Sequence, residues 1–173
     1  MKAAETVAIA AWQAGYPLSF MVTVTWHNLR HLGKGHKHNV LGLPEPKRRD
    51  TLFQRLRRVL REVLGFPAYW VWAKAEGSQV GVHLHVYLFW PEDHTHHLIR
   101  VLEKVTGDPA HPQWADDAED VVSEAHSHGW QVKRNLYGYH GSLRGADYVA
   151  RQEEHHGRAL PGKCFGTTMP KAA

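Results

Sequence analysis

The sequence predicts a single α+β domain built on a central antiparallel sheet flanked by helices, and three observations carry that prediction. The 173 residues match one hydrophobic core rather than two. Two runs rich in aromatic and β-branched residues lie on either side of a short connection, as the strands of a hairpin do. Helix-period segments are interleaved with such runs without the regular strand–helix–strand repetition of a parallel sheet. The chain is 43% hydrophobic and 22% charged, which is a globular composition, and no apolar run approaches the ~18 residues of a membrane span. Internal repeats and low-complexity segments are absent, so residues 1–173 read as one domain.

Taken in order, residues 5–14 suit an amphipathic helix that Gly15-Tyr16-Pro17 ends. Residues 19–26 alternate, with Phe20, Val22, Val24 and Trp26 on one side and Met21, Thr23 and Thr25 on the other. Residues 27–47 read as a loop rich in His, Gly, Lys and Pro. A helix is expected from Asp50 or Thr51 to Leu64, with Leu52, Phe53, Leu56, Val59, Leu60, Val63 and Leu64 at helical spacing and Gly65 and Pro67 stopping it. Residues 68–76 and 82–90 read as a hairpin; Val82, Leu84, Val86 and Leu88 make an aliphatic side, and His83, His85, Tyr87 and Phe89 the other. Then follow a helix at 95–106, an acidic stretch from Trp114 to Glu124, a strand at 130–135, a helix from Ser142 to about Gln152, and an edge strand at 163–168.

Charge is polarised along the chain: residues 1–65 carry 11 Lys and Arg against 4 Asp and Glu, whereas 91–125 carry 2 against 9. A basic side on a small domain suits a polyanion, most often nucleic acid, and suits a plain solvated face equally well. Arg55, Arg57, Arg58 and Arg61 line the exposed sides of the helix at 51–64, where Arg55 and Arg58 are placed to track a phosphate backbone. The one cysteine, Cys164, has no internal disulfide partner, and the start of the chain lacks the pattern of a secretory signal, so the expected location is the cytoplasm.

His83-Leu84-His85 is the sharpest chemical feature. Two imidazoles two residues apart on a strand point the same way, side by side, which suits one cation. Glu76, at the end of the preceding strand, is the expected third ligand, because cross-strand neighbours sit about 5 Å apart. Two imidazoles and a carboxylate leave coordination positions open, as catalytic metal sites do. The plain alternative is a pair of packed strand histidines.

The succession of 20–26 (Phe-Met-Val-Thr-Val-Thr-Trp), Glu76 with His83-Leu84-His85, and Tyr148-Val149-Ala150-Arg151 resembles the three motifs of the HUH endonucleases, and among them the rolling-circle replication initiators (Rep proteins) of bacterial plasmids and filamentous phages. The resemblance spans about residues 19–168, which it makes the core of the domain, and implies a sheet of RNA-recognition-like (RRM-like, palm) arrangement. It also implies Mg²⁺ or Mn²⁺ on Glu76, His83 and His85, and Tyr148 as the nucleophile that nicks single-stranded or hairpin origin DNA through a 5′-phosphotyrosine. The family's Lys three residues after the Tyr is Arg151 here, which keeps the charge but cannot give up a proton. No phosphate-binding Walker sequence is present, so a helicase would come from the host or from a part of the protein outside this sequence.

Several alternatives stand beside this reading. Tyr137 and Tyr139, in a loop-like Tyr-Gly-Tyr-His-Gly setting, compete with Tyr148 as nucleophile, Tyr16 is a more distant competitor, and Tyr87 reads as packing. Trp70, Trp72 and Lys74 share a side with Glu76, and either stack unpaired bases beside the metal or pack beneath the nucleophile helix. Lys133 and Arg134 are further candidates for DNA contact. The loop histidines His27, His31, His36 and His38, and also His94, His96, His97, His155 and His156, read as solvated or phosphate-touching rather than as a zinc site. The same metal and Tyr would serve a transposase or a conjugative relaxase, and without them the chain reads as a non-catalytic RRM-like nucleic-acid-binding module.

Overall fold

A computed structural model describes residues 2–26, 45–77, 81–111, 121–135, 138–155 and 165–170. Their elements are α1 (Lys2–Gln13), β1 (Phe20–Thr25), α2 (Glu45–Arg58), β2 (Trp70–Gly77), β3 (Gly81–Leu88), α3 (Thr95–Thr106), β4 (Val121–His126), β5 (Trp130–Asn135), α4 (Gly138–His155) and β6 (Phe165–Thr168). The six strands form one antiparallel sheet in the order β4-β5-β1-β3-β2-β6. Its centre, β5-β1-β3-β2 with β3 inserted between β1 and β2, is a split β-α-β arrangement. The α+β class with a helix-flanked antiparallel sheet is therefore what the chain adopts.

Both sides of the sheet are covered, and the two-residue period of the strands decides which residues each side receives. On one side Phe20, Val22, Val24, Leu84, Val86 and Leu88 pack with Trp70 and Trp72 against Leu52, Phe53 and Leu56 of α2, Leu60 just after it, and Leu98, Leu102 and Val105 of α3. On the other, Val71, Ala73 and Tyr87 meet Ala4, Val7, Ala8 and Ala11 of α1 and Ala146, Val149 and Ala150 of α4. Small helix residues there let α1 and α4 lie close to the strands. At Gly145 the approach is so close that a Cβ would stand 2.4 Å from the Tyr87 ring, so only glycine fits under α4.

Three departures from the expected elements have physical causes. The helix at 51–64 starts earlier, at Glu45, and closes in a wide turn over Val59–Val63, in which the Leu64 N–H reaches back to the Val59 carbonyl at 3.0 Å. That turn rotates the apolar stripe, so Leu60 stays buried while Val63 is 60% exposed. The helix expected from Ser142 begins at Gly138, which places Tyr139 on a helix rather than in a loop. Val121–His126, within and just beyond the expected acidic stretch, is a strand paired with β5.

Candidate metal and tyrosine site

His83 and His85 lie side by side on β3, with ring centroids 4.8 Å apart and planes perpendicular. Each keeps 8% of its surface exposed. Their cross-strand neighbours are small: Ala75 and Ala73 on β2, Thr25 and Thr23 on β1. Thr23 Oγ1 and His85 Nδ1 are hydrogen-bonded at 3.0 Å, which fixes that ring's orientation. Small residues therefore flank both imidazoles, and α4 passes over them.

The course of α4 over β3 follows from three contacts. The Tyr87 hydroxyl donates to the Gly141 carbonyl at 3.1 Å, Gly145 rests on the Tyr87 ring, and the Tyr148 ring stands 5.9 Å from His85 in an edge-to-face arrangement. The helix thus runs antiparallel to β3, from Tyr87 toward His83. Tyr148 is half exposed, at 51%. One turn further, Gln152 is buried and its side-chain amide lies 3.4 Å from the Tyr148 carbonyl. Gln152 was not among the candidates read from the sequence; its signal was the four-residue spacing from Tyr148, which puts both on one helical face.

Glu76 does not join them. In the β2–β3 register Gly77 pairs with Gly81, Glu76 with Val82 and Ala75 with His83. Directly opposed residues share a side of the sheet, so Glu76 lies with Val82, Leu84 and Lys74 on the α2/α3 side, and the histidines lie on the α1/α4 side. The expected three-ligand set of Glu76, His83 and His85 is therefore corrected to a histidine pair without that acid.

The same parity moves Trp72 and Lys74 away from the histidine pair. Both are buried, at 5% exposure. Trp72 packs against Phe53, under the Arg49 guanidinium at 4.6 Å and beside Gly166 of β6, so it has no open face for a base. Trp70 stacks on Phe53. Of the two expected fates for these tryptophans, packing is the one observed, but beneath α2 rather than beneath the helix that carries Tyr148.

Arg134 also sits on the α2/α3 side, tied to Glu124 at 2.6 Å and to Glu92. Lys133, next along β5, pairs with Met21 and lies on the histidine side. Arg151 forms an ion pair with Asp147 at 2.8 Å on the exposed part of α4. Arg55 and Arg58 are exposed on α2, where with Val63, Arg100 and Lys104 they line a cleft of about 630 Å³ between α2 and α3, across the sheet from Tyr148.

The remaining tyrosines separate clearly. Tyr87 is buried as expected, and burial pushes its phenol well above the ordinary value, offset in part by the Asn135 side chain. Tyr16 packs among Phe66, Tyr69 and Phe89, and Tyr139 against Trp12 at 5.2 Å. Tyr137, the loop histidines His27, His31, His36 and His38, and His156 lie outside the described residues, as does the side chain of His155.

Two further groups of potential metal ligands appear among the described residues: His94, His96 and His97 at the start of α3, and Asp108, His111 and His128. The His97 imidazole is pushed below its ordinary value by desolvation and then by His96, His94 and Arg100, an environment unfavourable to added positive charge. No helix among the described residues is long and apolar enough to cross a membrane. Comparison of the chain with protein-family models, with curated proteins and with solved structures finds no match in any of the three.

Proposed function

We propose that the protein is a metal-dependent endonuclease and strand transferase for single-stranded DNA, with His83 and His85 as metal ligands and Tyr148 as nucleophile. One observation carries the reading: an exposed phenol on a helix stands 5.9 Å, ring to ring, from one of two adjacent imidazoles. The donor set suits a divalent cation. With Nδ1 of His85 engaged by Thr23, Nε2 is the coordinating atom, and Thr23 plays the orienting part that outer-shell partners play. Glu76 being on the other side of the sheet, the third donor is assigned to the Gln152 amide oxygen, one turn beyond Tyr148 on the course α4 takes toward His83.

Mg²⁺ or Mn²⁺ held by His83, His85 and Gln152 would supply Lewis-acid charge to the scissile phosphate. Tyr148 attacks phosphorus in line. The Oη–P bond forms as the P–O3′ bond breaks, the phenolic proton passes to solvent, and the departing O3′ takes up a proton. The 5′-phosphotyrosine retains the ester for a later rejoining by a 3′-hydroxyl. Arg151, one turn from Tyr148, contributes positive charge near the incoming phosphate, and Lys133 extends it along the same side of the sheet.

Within this chemistry the resemblance favours a replication initiator of the Rep type, acting in the cytoplasm on a hairpin or unwound origin with a host helicase. Cleavage of insertion-end hairpins instead would mark a transposase, and cleavage of a transfer origin a relaxase. The test is incubation of the purified chain with origin oligonucleotides and Mn²⁺. A covalent protein–DNA adduct should form, and Tyr148→Phe should abolish it while leaving DNA binding intact. An adduct that persists in Tyr148→Phe overturns the assignment of the nucleophile. DNA binding without any adduct, and without a Mn²⁺ site that His83→Ala removes, would leave the non-catalytic RRM-like module.

A further inference from the structure

Asp108, His111 and His128 come together where the chain leaving α3 crosses the β4–β5 turn, and their three donor atoms lie within 4.8 Å of one another. Asp108 is 1% exposed. Its Oδ2 accepts the Gly129 N–H at 2.9 Å, its Oδ1 stands 3.8 Å from His128 Nδ1, and His128 Nδ1 stands 3.0 Å from His111 Nε2. The backbone holds these residues in place: the Trp130 indole donates to the Asp108 carbonyl at 2.9 Å, and the His111 N–H to the His126 carbonyl at 2.8 Å.

From this the geometry points to a second metal site, for Zn²⁺ or a cation of the same imidazole-preferring class, bound by Asp108 Oδ1, His111 Nε2 and His128 Nδ1. A tetrahedral zinc with Zn–N of about 2.05 Å needs ligand atoms about 3.3 Å apart, so the two pairs that His128 makes require shifts of only about half an ångström, and the third pair lies within 4.8 Å. Two imidazoles and one carboxylate are among the nitrogen and oxygen donors that zinc sites use. A buried carboxylate costs free energy unless positive charge meets it, and the cation supplies that charge. The outer-shell arrangement is already present in the Gly129 N–H, which orients the carboxylate from behind. Because Trp130 of β5 packs on the α2/α3 side, the site is separate from His83 and His85 and stands whether or not the nuclease reading does. Bound metal would clamp the segment after α3 to the β4–β5 turn. The His94, His96 and His97 group lacks an acid and faces Arg100, and so is the weaker site.

The test is titration of Zn²⁺, in competition with a chromophoric chelator, into the full chain carrying His83→Ala and His85→Ala, so that the histidine pair contributes nothing. One equivalent should be withdrawn from the chelator. Adding His111→Ala or His128→Ala, both exposed side chains, should weaken that equivalent by at least about tenfold, whereas His96→Ala should leave it unchanged. Co²⁺ in place of Zn²⁺ should give the intense visible absorption of a tetrahedral site, lost in His128→Ala. Should the doubly substituted background not fold, the same comparison in the otherwise unaltered chain reads one equivalent fewer in His128→Ala. Zn²⁺ uptake that is absent, or indifferent to both His111→Ala and His128→Ala, overturns the proposal.

Discussion

The two sides of β3 are made from alternate residues of one strand, yet they are built for opposite purposes. Val82, Leu84, Val86 and Leu88 face α2 and α3, where Leu84, Val86 and Leu88 lie fully buried against aliphatic and aromatic neighbours. His83, His85 and Tyr87 face α1 and α4, where a hydrogen-bonded threonine, a buried glutamine and a half-exposed tyrosine gather over small residues. The difference teaches that the α2/α3 side supplies the stability that lets the other side hold polar groups in fixed positions. On β3 itself, replacing the aliphatic residues should cost mainly stability, and replacing the histidines should cost mainly chemistry.

The largest effect is expected where α4 touches the sheet. Gly145→Val puts its side chain into the Tyr87 ring and should cost about 3 kcal/mol or more in urea unfolding, with loss of Mn²⁺ binding as the helix lifts. Unchanged stability would mean that α4 does not rest on Tyr87. The central contrast comes next. Leu84→Ala should cost about 2–5 kcal/mol and leave the metal ligands intact, whereas His85→Ala should cost only about 1 kcal/mol, the worth of its bond to Thr23, and abolish Mn²⁺ binding. Equal costs would break the division between the two sides.

Tyr87 sharpens it through pH. Its phenol titrates higher in the folded protein than in the unfolded chain, so the stability it contributes is full below about pH 10 and declines as pH rises through and beyond that value. Tyr87→Phe should lose about 1 kcal/mol at neutral pH with the bond to Gly141, and its stability should fall less steeply than the wild type's on going from about pH 9 to 11. A parallel fall in both proteins contradicts the burial argument. The smallest effect on stability is expected from Glu76→Gln, which should also leave Mn²⁺ affinity unchanged, while Gln152→Ala lowers it at least about tenfold; the reverse result would return Glu76 to the site.

How far the sequence could be read follows from the same alternation. The helix at 95–106 is legible to the residue, and β1, β2, β3 and β5 to within about two, because hydrophobic periodicity is a local signal. The adjacency of His83 and His85 needs only strand parity. Glu76, Trp72 and Lys74 were misjudged together because the side each faces depends on the register across the connection, where one residue more or fewer exchanges the two sides. The early start of α4 was hidden by Gly138 and Gly141, which suggest a loop until Gly141 is seen accepting the Tyr87 bond. The Asp108, His111 and His128 cluster joins segments twenty residues apart and leaves no local pattern at all.

The most direct measurement is to digest the covalent DNA adduct with trypsin and locate the nucleotide by mass spectrometry. Cleavage after Arg144 and Arg151 releases residues 145–151, whose only tyrosine is Tyr148, apart from residues 135–144, which hold Tyr137 and Tyr139. Pairing of Tyr148 with the histidines as one reactive centre predicts the phosphonucleotide mass on 145–151, and its loss when His83 and His85 are replaced by Ala. The mass on 135–144, or on 145–151 regardless of the histidines, would contradict it.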